Sequence, residues 1–210
     1  MKMIHIILLF FYLLSYTSHA TYTNDFCVAN FMFPKTPSGY PCKSETNVTA
    51  DDFASSTLVA GDSKNIFNLR SATAFVNDIP GLNGLGISAA RVDFDINGTV
   101  PMHIHPDSSE LIIVAQGQIY AGFITPTKLY EKNLKVGDVF VFPTGLLHFL
   151  VNTGPKKAMF YAVYGSSNPS IQLLVDLLFR NKLPTPIIQK TTLLDSSQIM
   201  KLKAQFGGSG

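Results

Sequence analysis

The chain has 210 residues and a formal net charge of +2, and its 16 basic and 14 acidic residues are spread along its length. Because it has no basic block and no acidic tail, the sequence lacks the usual signatures of nucleic-acid binding and of a solvating segment. Charged residues make up 14% of the chain, well below the ~25% of average soluble domains, and so weakly charged a surface favours burial in subunit contacts.

The first twenty residues (1–20) have the pattern of a secretory signal peptide. Lys2 precedes an apolar run at residues 4–14, and Ser18 and Ala20 are the small residues that a signal peptidase reads. Cleavage is therefore expected after Ala20. The apolar run is shorter than the ~20 residues that a membrane-spanning helix needs, and no later segment is long enough. An uncleaved anchor is the alternative, but the pattern favours an exported protein with a single mature domain.

Residues 21–50 contain both cysteines of the chain, Cys27 and Cys42. In an exported protein an oxidised pair is expected. Closing a loop of this size stabilises the fold by roughly 3 kcal/mol in the chain-entropy model. Two free thiols or a metal-binding pair are the alternatives, but no further cysteine is available to support them. The sequence thus predicts an N-terminal segment that a disulfide pins.

Two Asn-X-Thr sequons, at Asn47 and Asn97, are candidate N-glycosylation sites in an exported chain. The pattern is short and is often matched by chance, so each sequon is a weak signal by itself. The similar triplet at Asn168 is excluded because proline follows the asparagine.

Residues 51–168 predict an all-β domain. Short runs rich in β-branched and aromatic residues, such as ELIIVAQ and DVFVF, are separated by Gly, Pro and Asn at roughly ten-residue spacing. That pattern favours an antiparallel sandwich or barrel over alternating strands and helices.

Residues 169–210 predict short helices. Apolar residues first recur with the spacing of a buried helical face at Ile171, Leu174, Val175 and Leu178. A second helix is expected after the N-cap residue Asp195, with Gln198 completing a capping box. Amphipathic helices must bury their apolar faces, either on their own domain or on a neighbouring subunit.

Three histidines and a glutamate form a pattern of metal ligands. His103 and His105 point to the same face of a strand because they are two residues apart. A turn leads to Glu110 on the returning strand, and His148 follows a Pro-X-Gly turn further along. Three imidazoles and one carboxylate meeting in a barrel mouth would bind a first-row transition metal and leave room for water or substrate.

A lone histidine in an apolar strand is more often a packed or hydrogen-bonded core residue than a ligand. Of the five histidines, however, His5 and His19 fall in the expected signal peptide. All three that remain belong to the predicted constellation. A shared metal site is therefore favoured over three incidental histidines.

The two histidine-containing boxes resemble those of the germin branch of the cupin superfamily. The first box has His, His, Glu and Gly at His103, His105, Glu110 and Gly117. The second box has Gly, Pro-X-Gly, His and Asn at Gly137, Pro143, Gly145, His148 and Asn152. The cysteine pair, the segment PGLNGLGIS and the helical tail match as well, so the resemblance covers nearly the whole mature chain. It is closest to the auxin-binding-protein-like germins of plants.

The resemblance implies a cupin jelly-roll β-barrel with short C-terminal α-helices, in which the three histidines and Glu110 hold manganese. It also implies a homohexamer, built as a trimer of dimers whose C-terminal helices clasp neighbours, and secretion to the plant cell wall or apoplast, with a role in defence or development. Imidazole-rich sites also accept zinc, copper, iron or nickel. The choice of manganese is thus carried by the family.

Two positions depart from the family pattern. A Gly-Gly pair before the first box is replaced by Asn97-Gly98, and asparagine tolerates left-handed backbone. Oxalate-oxidising members have an asparagine where this chain has Ala90, whereas Asn83 matches a second active-site asparagine. A lost hydrogen bond to a small dianion should cost roughly 1.5–3 kcal/mol, so oxalate oxidase activity is not expected. Asn152 is expected to serve as a turn or supporting residue.

Two functions are compatible with these residues. A redox-active metal held by the four ligands could dismute superoxide, which would make the protein an enzyme. Alternatively, the protein binds auxin or another small carboxylate without turnover, or has a structural role in the wall. A purely structural cupin would not need all four ligands, so their presence counts against that last role.

Overall fold

The computed structural model describes residues 25–61 and 65–210, in which two five-stranded sheets are followed by three α-helices. The expected signal peptide, residues 1–20, lies outside the described residues. In the part of the chain that is described, no helix combines the length and the hydropathy that a membrane crossing requires.

Ten strands form the two sheets: β1 (Leu69–Ala74), β2 (Ser88–Phe94), β3 (Thr99–Ile104), β4 (Glu110–Gln116), β5 (Gln118–Ile124), β6 (Leu129–Lys135), β7 (Val139–Phe142), β8 (Leu147–Asn152), β9 (Ala158–Tyr164) and β10 (Gln172–Leu173). The helices are α1 (Leu174–Phe179), α2 (Thr185–Thr192) and α3 (Ser196–Phe206). Short 3-10 turns occur at Glu45–Asn47, Ala50–Phe53 and Pro80–Leu82.

The strands follow the order β1-β2-β9-β4-β7 in one sheet and β10-β3-β8-β5-β6 in the other, with every neighbouring pair antiparallel. Side chains alternate between buried and partly exposed along β2, β8 and β9, because one face of each sheet turns inward. The inward faces supply the core, whose largest members include Phe94, Ile112, Phe142, Leu150 and Phe160. This jelly roll confirms the predicted all-β fold class.

The N-terminal segment is fastened to the barrel. Cys27 and Cys42 form the expected disulfide, and no free cysteine remains among the described residues. The amide of Ala29 donates to the carbonyl of Pro80 at 2.9 Å, which joins the segment to the loop before β2.

Both sequons lie on the surface. The side chain of Asn47 is exposed at the end of its 3-10 turn. Asn97 is also exposed and has a φ of 60°, so asparagine does adopt the left-handed turn in front of β3. The following Gly98 is required there, since a Cβ atom would lie 2.5 Å from the carbonyl oxygen of Asn68. Glycan occupancy stays a prediction.

The helical tail differs in detail from its prediction. Ile171 precedes the short strand β10, so α1 begins only at Leu174 and has six residues. Helix α2 is not among the predicted helices. Pro186 stands at its start, where proline is tolerated. Asp195 does cap α3 by accepting from the amide of Ser197 at 2.7 Å. Among the described residues, the Gln198 side chain does not complete a capping box with the Asp195 amide.

The helices bury a common apolar face within their own chain. Their buried members are Phe179, Ile188, Ile199 and Phe206. Phe206 stacks on Phe67 from the segment before β1, with ring centroids 6.1 Å apart. The tail therefore packs on its own domain, and other apolar side chains, such as Leu193 at 90% exposed, remain on its outer surface.

Candidate metal centre

The four predicted ligands meet at one end of the barrel, and both sheets contribute to them. His103 on β3 lies directly opposite His148 on β8, after an irregularity in the ladder. Glu110 opens β4 in the other sheet. His105 directly follows β3, and its carbonyl accepts a hydrogen bond from the amide of Gly145 at 3.0 Å. Gly145 has a φ of 73°, which explains the glycine of the Pro-X-Gly turn.

The ligand atoms are close together and shielded from solvent. Oε2 of Glu110 lies 3.1 Å from Nε2 of His148, 3.3 Å from that of His105 and 4.0 Å from that of His103. All four ligand atoms lie within 4.8 Å of one another, and none of the residues is more than 4% exposed. The structure thus brings together the complete ligand set that the sequence predicted.

Backbone carbonyls orient all three imidazole rings. Nδ1 of His103 contacts the carbonyl of Pro101 at 2.9 Å, that of His105 the carbonyl of Ser170 at 2.5 Å, and that of His148 the carbonyl of Leu146 at 2.7 Å. A carbonyl can only accept, so each Nδ1 carries a hydrogen and donates. In the neutral ring Nε2 then carries the lone pair, and all three Nε2 atoms lie within 4.0 Å of Oε2 of Glu110.

This arrangement fits a metal ion. The 3.1 Å contact between Nε2 of His148 and Oε2 of Glu110 needs a proton or a shared cation between the two atoms. The buried Nε2 of His105 lies 3.3 Å from the same oxygen without a well-aligned hydrogen bond. A divalent ion would satisfy all four donors at once, as in other sites of three imidazoles and one carboxylate. The donor set alone accepts several first-row metals.

The ionisation states also suit a metal. Burial lowers the pKa of His103 to about 3, and the neighbouring His148 adds to the effect. Burial alone would raise the pKa of Glu110, but His105 and His148 outweigh it and lower that pKa to about 2. Burial opposes protonation of His105 as well, yet the adjacent Glu110 carboxylate raises its pKa. The carboxylate is thus ionised and His103 neutral, the forms that bind metals.

Two aromatic residues that the sequence did not single out complete the site. Tyr164 on β9 lies opposite Glu110, and its hydroxyl donates to Oε1 at 3.4 Å. Burial and the charge of Glu110 raise the pKa of this phenol well above its usual value, so it stays protonated. Phe142 stacks on the ring of His148 with centroids 4.4 Å apart. The inward alternation of β9 was the available signal for Tyr164.

A cavity of about 260 Å³ extends from the cluster into the barrel. Its walls are mostly apolar, and its lining residues include Phe67, Phe75, Val92 and Phe160. Ala90, at the position where oxalate-oxidising germins carry an asparagine, also faces it. No lysine or arginine is among the described residues that line the cavity. Beyond the cluster and Tyr164, a ligand entering it would meet the polar residues Asn65, Ser71 and Thr73 and an otherwise apolar wall.

The two asparagines named as supporting or substrate residues lie elsewhere. Nδ2 of Asn83 donates to the carbonyl of Tyr40 at 2.8 Å and approaches Sγ of Cys27 at 3.3 Å. This chain therefore directs Asn83 to the N-terminal segment and not into the cavity. Asn152 ends β8, four residues after His148, and its Nδ2 donates to the carbonyls of Asp95 and Lys156. Asn152 therefore stabilises a turn, which agrees with the expected role as a turn residue.

Comparison with known proteins identifies the family. The family model described as Cupin matches residues 58–200. Auxin-binding protein ABP20 of Prunus persica is 47% identical over 209 residues, which cover 99% of this chain and 97% of that protein. Germin-like protein subfamily 3 member 3 of Arabidopsis thaliana is 44% identical over 211 residues, covering 100% of both.

The chain belongs to the germin-like cupins. Among solved structures, a recombinant oxalate oxidase in complex with glycolate superposes with a TM-score of 0.83 at 32% identity. The match covers 88% of this chain and 96% of that one. The germin-like relationship thus extends over both sheets and the helical tail.

Proposed function

We propose that the protein is a secreted, manganese-binding germin-like protein of the plant cell wall or apoplast that dismutes superoxide. The observation that carries the proposal is the convergence of three imidazole nitrogens and one carboxylate oxygen within 4.8 Å, beside a cavity of about 260 Å³. The N3O donor set fits a divalent ion, and the germin resemblance selects manganese. The signal-peptide pattern and the disulfide support secretion.

Dismutation converts two superoxide anions and two protons into dioxygen and hydrogen peroxide, because one superoxide is oxidised while the other is reduced. A bound manganese ion would supply the electron transfer by alternating between two oxidation states. His103, His105, His148 and Glu110 would hold that ion, and their burial would keep bulk water away from it. Tyr164 carries a proton on its hydroxyl at the cavity wall, and solvent supplies the protons that turnover consumes.

The decisive experiment measures metal content and dismutation on the same purified, glycosylated protein. Mass spectrometry of the metal should find one manganese per chain, and chelation should abolish activity that manganese restores. His103→Ala should lose both metal and activity, whereas Lys132→Ala on the exposed strand β6 should retain both. A manganese-loaded protein without dismutation would refute the catalytic part of the proposal and leave the metal site intact.

A second candidate function is the non-enzymatic binding of auxin or another small carboxylate. The observation that favours it is the apolar lining of the cavity, which suits the hydrocarbon body of such an acid while a metal ion takes its carboxylate. Relatives named auxin-binding proteins agree with it. Saturable auxin binding by the manganese-loaded protein, lost in the metal-free protein and without superoxide turnover, would decide for this function.

We further propose a homohexamer arranged as a trimer of dimers. Apolar side chains on the outer surface of the tail, including Leu177, Ile187 and Met200, support it because a solitary chain would leave them in water. The low content of charged residues agrees with extensive contacts. Light scattering coupled to size-exclusion chromatography should give six times the mass of one chain, and a monomer at micromolar concentration would refute it.

A further inference from the structure

The three histidines of the cluster differ in where their orienting carbonyls come from. His103 and His148 each donate from Nδ1 to a carbonyl two residues earlier in the chain, so the adjacent backbone orients them. His105 donates to the carbonyl of Ser170, which lies 65 residues away in sequence. The orientation of this one ligand therefore depends on a separate segment, residues 169–173, which we call the strap.

Asp107 holds the strap from the other side. Its Oδ1 accepts from the amide of Ser170 at 3.1 Å and from the hydroxyl of Ser170 at 2.7 Å. Asp107 lies only two residues beyond His105, on the turn between β3 and β4. Two residues of the same turn thus bind Ser170: His105 donates to its carbonyl, and Asp107 accepts from its amide and hydroxyl.

The strap forms part of the cavity wall and leads into the helical tail. Pro169, Ile171 and Leu173 line the cavity, and Ile171 is also 54% exposed, so the strap stands between the cavity and solvent. Its last two residues pair with β3, where Leu173 lies opposite His103. Helix α1 starts at the next residue, Leu174. A displaced strap would open the cavity and loosen the start of the tail.

We propose that Asp107 and Ser170 act as positioning residues for the metal centre by latching the strap against His105. The inference rests on the proposed metal site. An imidazole whose Nε2 binds a cation is a stronger donor at Nδ1, so an occupied site tightens the contact of His105 with Ser170. By linkage, a seated strap must favour the metal by the same free energy. Metal occupancy and closure of the strap are coupled.

A graded set of variants tests the latch in the full-length protein. Ser170→Ala removes one of the two hydrogen bonds to Asp107, and Asp107→Ala removes both. Asp138→Ala is the matched control, because Asp138 also accepts a backbone hydrogen bond at 3.1 Å in a surface turn, between β6 and β7. The readouts are the Kd for Mn²⁺ and hydrogen exchange of peptides covering the strap and α1, with and without Mn²⁺. Peptides from β5 report whether each variant remains folded.

In the wild type, Mn²⁺ should slow exchange in the strap and α1. Substituting a residue that orients a metal ligand typically weakens metal binding by roughly 10–100-fold. Asp107 acts on His105 only through Ser170, so we expect Asp107→Ala to raise the Kd for Mn²⁺ about tenfold. This variant should also abolish the slowing of hydrogen exchange by Mn²⁺. Ser170→Ala should fall between Asp107→Ala and the wild type, and Asp138→Ala should match the wild type.

The outcomes separate this inference from the function it rests on. If the wild type binds Mn²⁺ while exchange in the strap is indifferent to the ion, or if Asp107→Ala behaves like Asp138→Ala, the latch is refuted and the metal site stands. If the wild type takes up no metal, the proposed function is refuted and the latch with it.

Discussion

Glu110 and Tyr164 are direct cross-strand neighbours on β4 and β9, and their side chains meet inside the barrel, where the phenol hydroxyl lies 3.4 Å from Oε1. The other oxygen, Oε2, faces the three histidines. Oε1 thus contacts Tyr164 while Oε2 contacts the histidines. The hydrogen bond from Tyr164 restrains rotation of the Glu110 carboxylate.

Removing the Tyr164 hydroxyl should weaken metal binding. The hydrogen bond is long, so it should contribute less than the roughly 1.5–3 kcal/mol of a good bond to a charged group. Tyr164→Phe should then raise the Kd for Mn²⁺ by up to about tenfold and alter the electron paramagnetic resonance spectrum of bound Mn²⁺. Tyr120→Phe is the control, because Tyr120 donates to Glu131 on the exposed surface. Identical spectra for the two variants would contradict the expectation.

Metal should stabilise the folded chain through Glu110. A ligand that binds only the folded state stabilises it by about 2.7 kcal/mol at a concentration one hundred times its Kd. Added Mn²⁺ should therefore raise the Tm of the wild type measured by calorimetry. Glu110→Gln keeps the shape but loses the charge, so its Tm should not respond to the ion. Glu131→Gln, on the exposed strand β6, should respond like the wild type, and a response from Glu110→Gln would argue against the carboxylate as a ligand.

Metal affinity should fall on acidification, and the histidines should govern the fall. The pKa of Glu110 is held at about 2, so the carboxylate remains ionised in mild acid. Although burial opposes it, the adjacent Glu110 carboxylate raises the pKa of His105, so protons compete with the metal at this ring as the pH falls. Below that pKa the apparent affinity should decrease about tenfold per pH unit while one proton competes. Titrations of Mn²⁺ between pH 8 and about 5 would test this, and an unchanged affinity would refute it.

Restoring an amide in the cavity should improve recognition of oxalate. Ala90 places only a methyl group against the cavity, and Ala90→Asn would add a donor worth roughly 1.5–3 kcal/mol toward a dianion. Oxalate should bind the Mn²⁺-loaded variant about tenfold to a hundredfold more tightly by calorimetry. Ala89→Asn places the same amide on the opposite face of β2 and should have no effect. Strong oxidation of oxalate by the wild type would show that Ala90 is not decisive.

The convergence of His103, His105, Glu110 and His148 could be predicted because it depends on short-range rules. His103 and His105 share a face through the two-residue period of a strand, and the turns that return Glu110 and His148 are marked by proline and glycine. Turn residues at regular spacing likewise predicted the antiparallel architecture. The disulfide followed from the number of cysteines and the expected compartment.

Contacts between distant parts of the chain could not be predicted in this way. Tyr164 reaches Glu110 only because β9 pairs with β4 in a register that the whole barrel sets. Ser170 reaches His105 across 65 residues for the same reason. The germin resemblance matches Asn83 to an active-site asparagine but does not give the direction of its side chain. In this chain that side chain bonds to the N-terminal segment instead. The start of α2 could not be predicted from Pro184 and Pro186, because proline both ends helices and starts them.

Among the described residues, no lysine or arginine lines the cavity, so the order in which a metal ion and an anion bind would matter. An anion arriving in a bare barrel would find neither a guanidinium nor an ammonium group along the described lining, and Glu110 would repel it. A bound metal ion would give the interior a fixed positive charge. If the proposed function holds, metal loading would therefore precede the binding of an anionic ligand in this cavity.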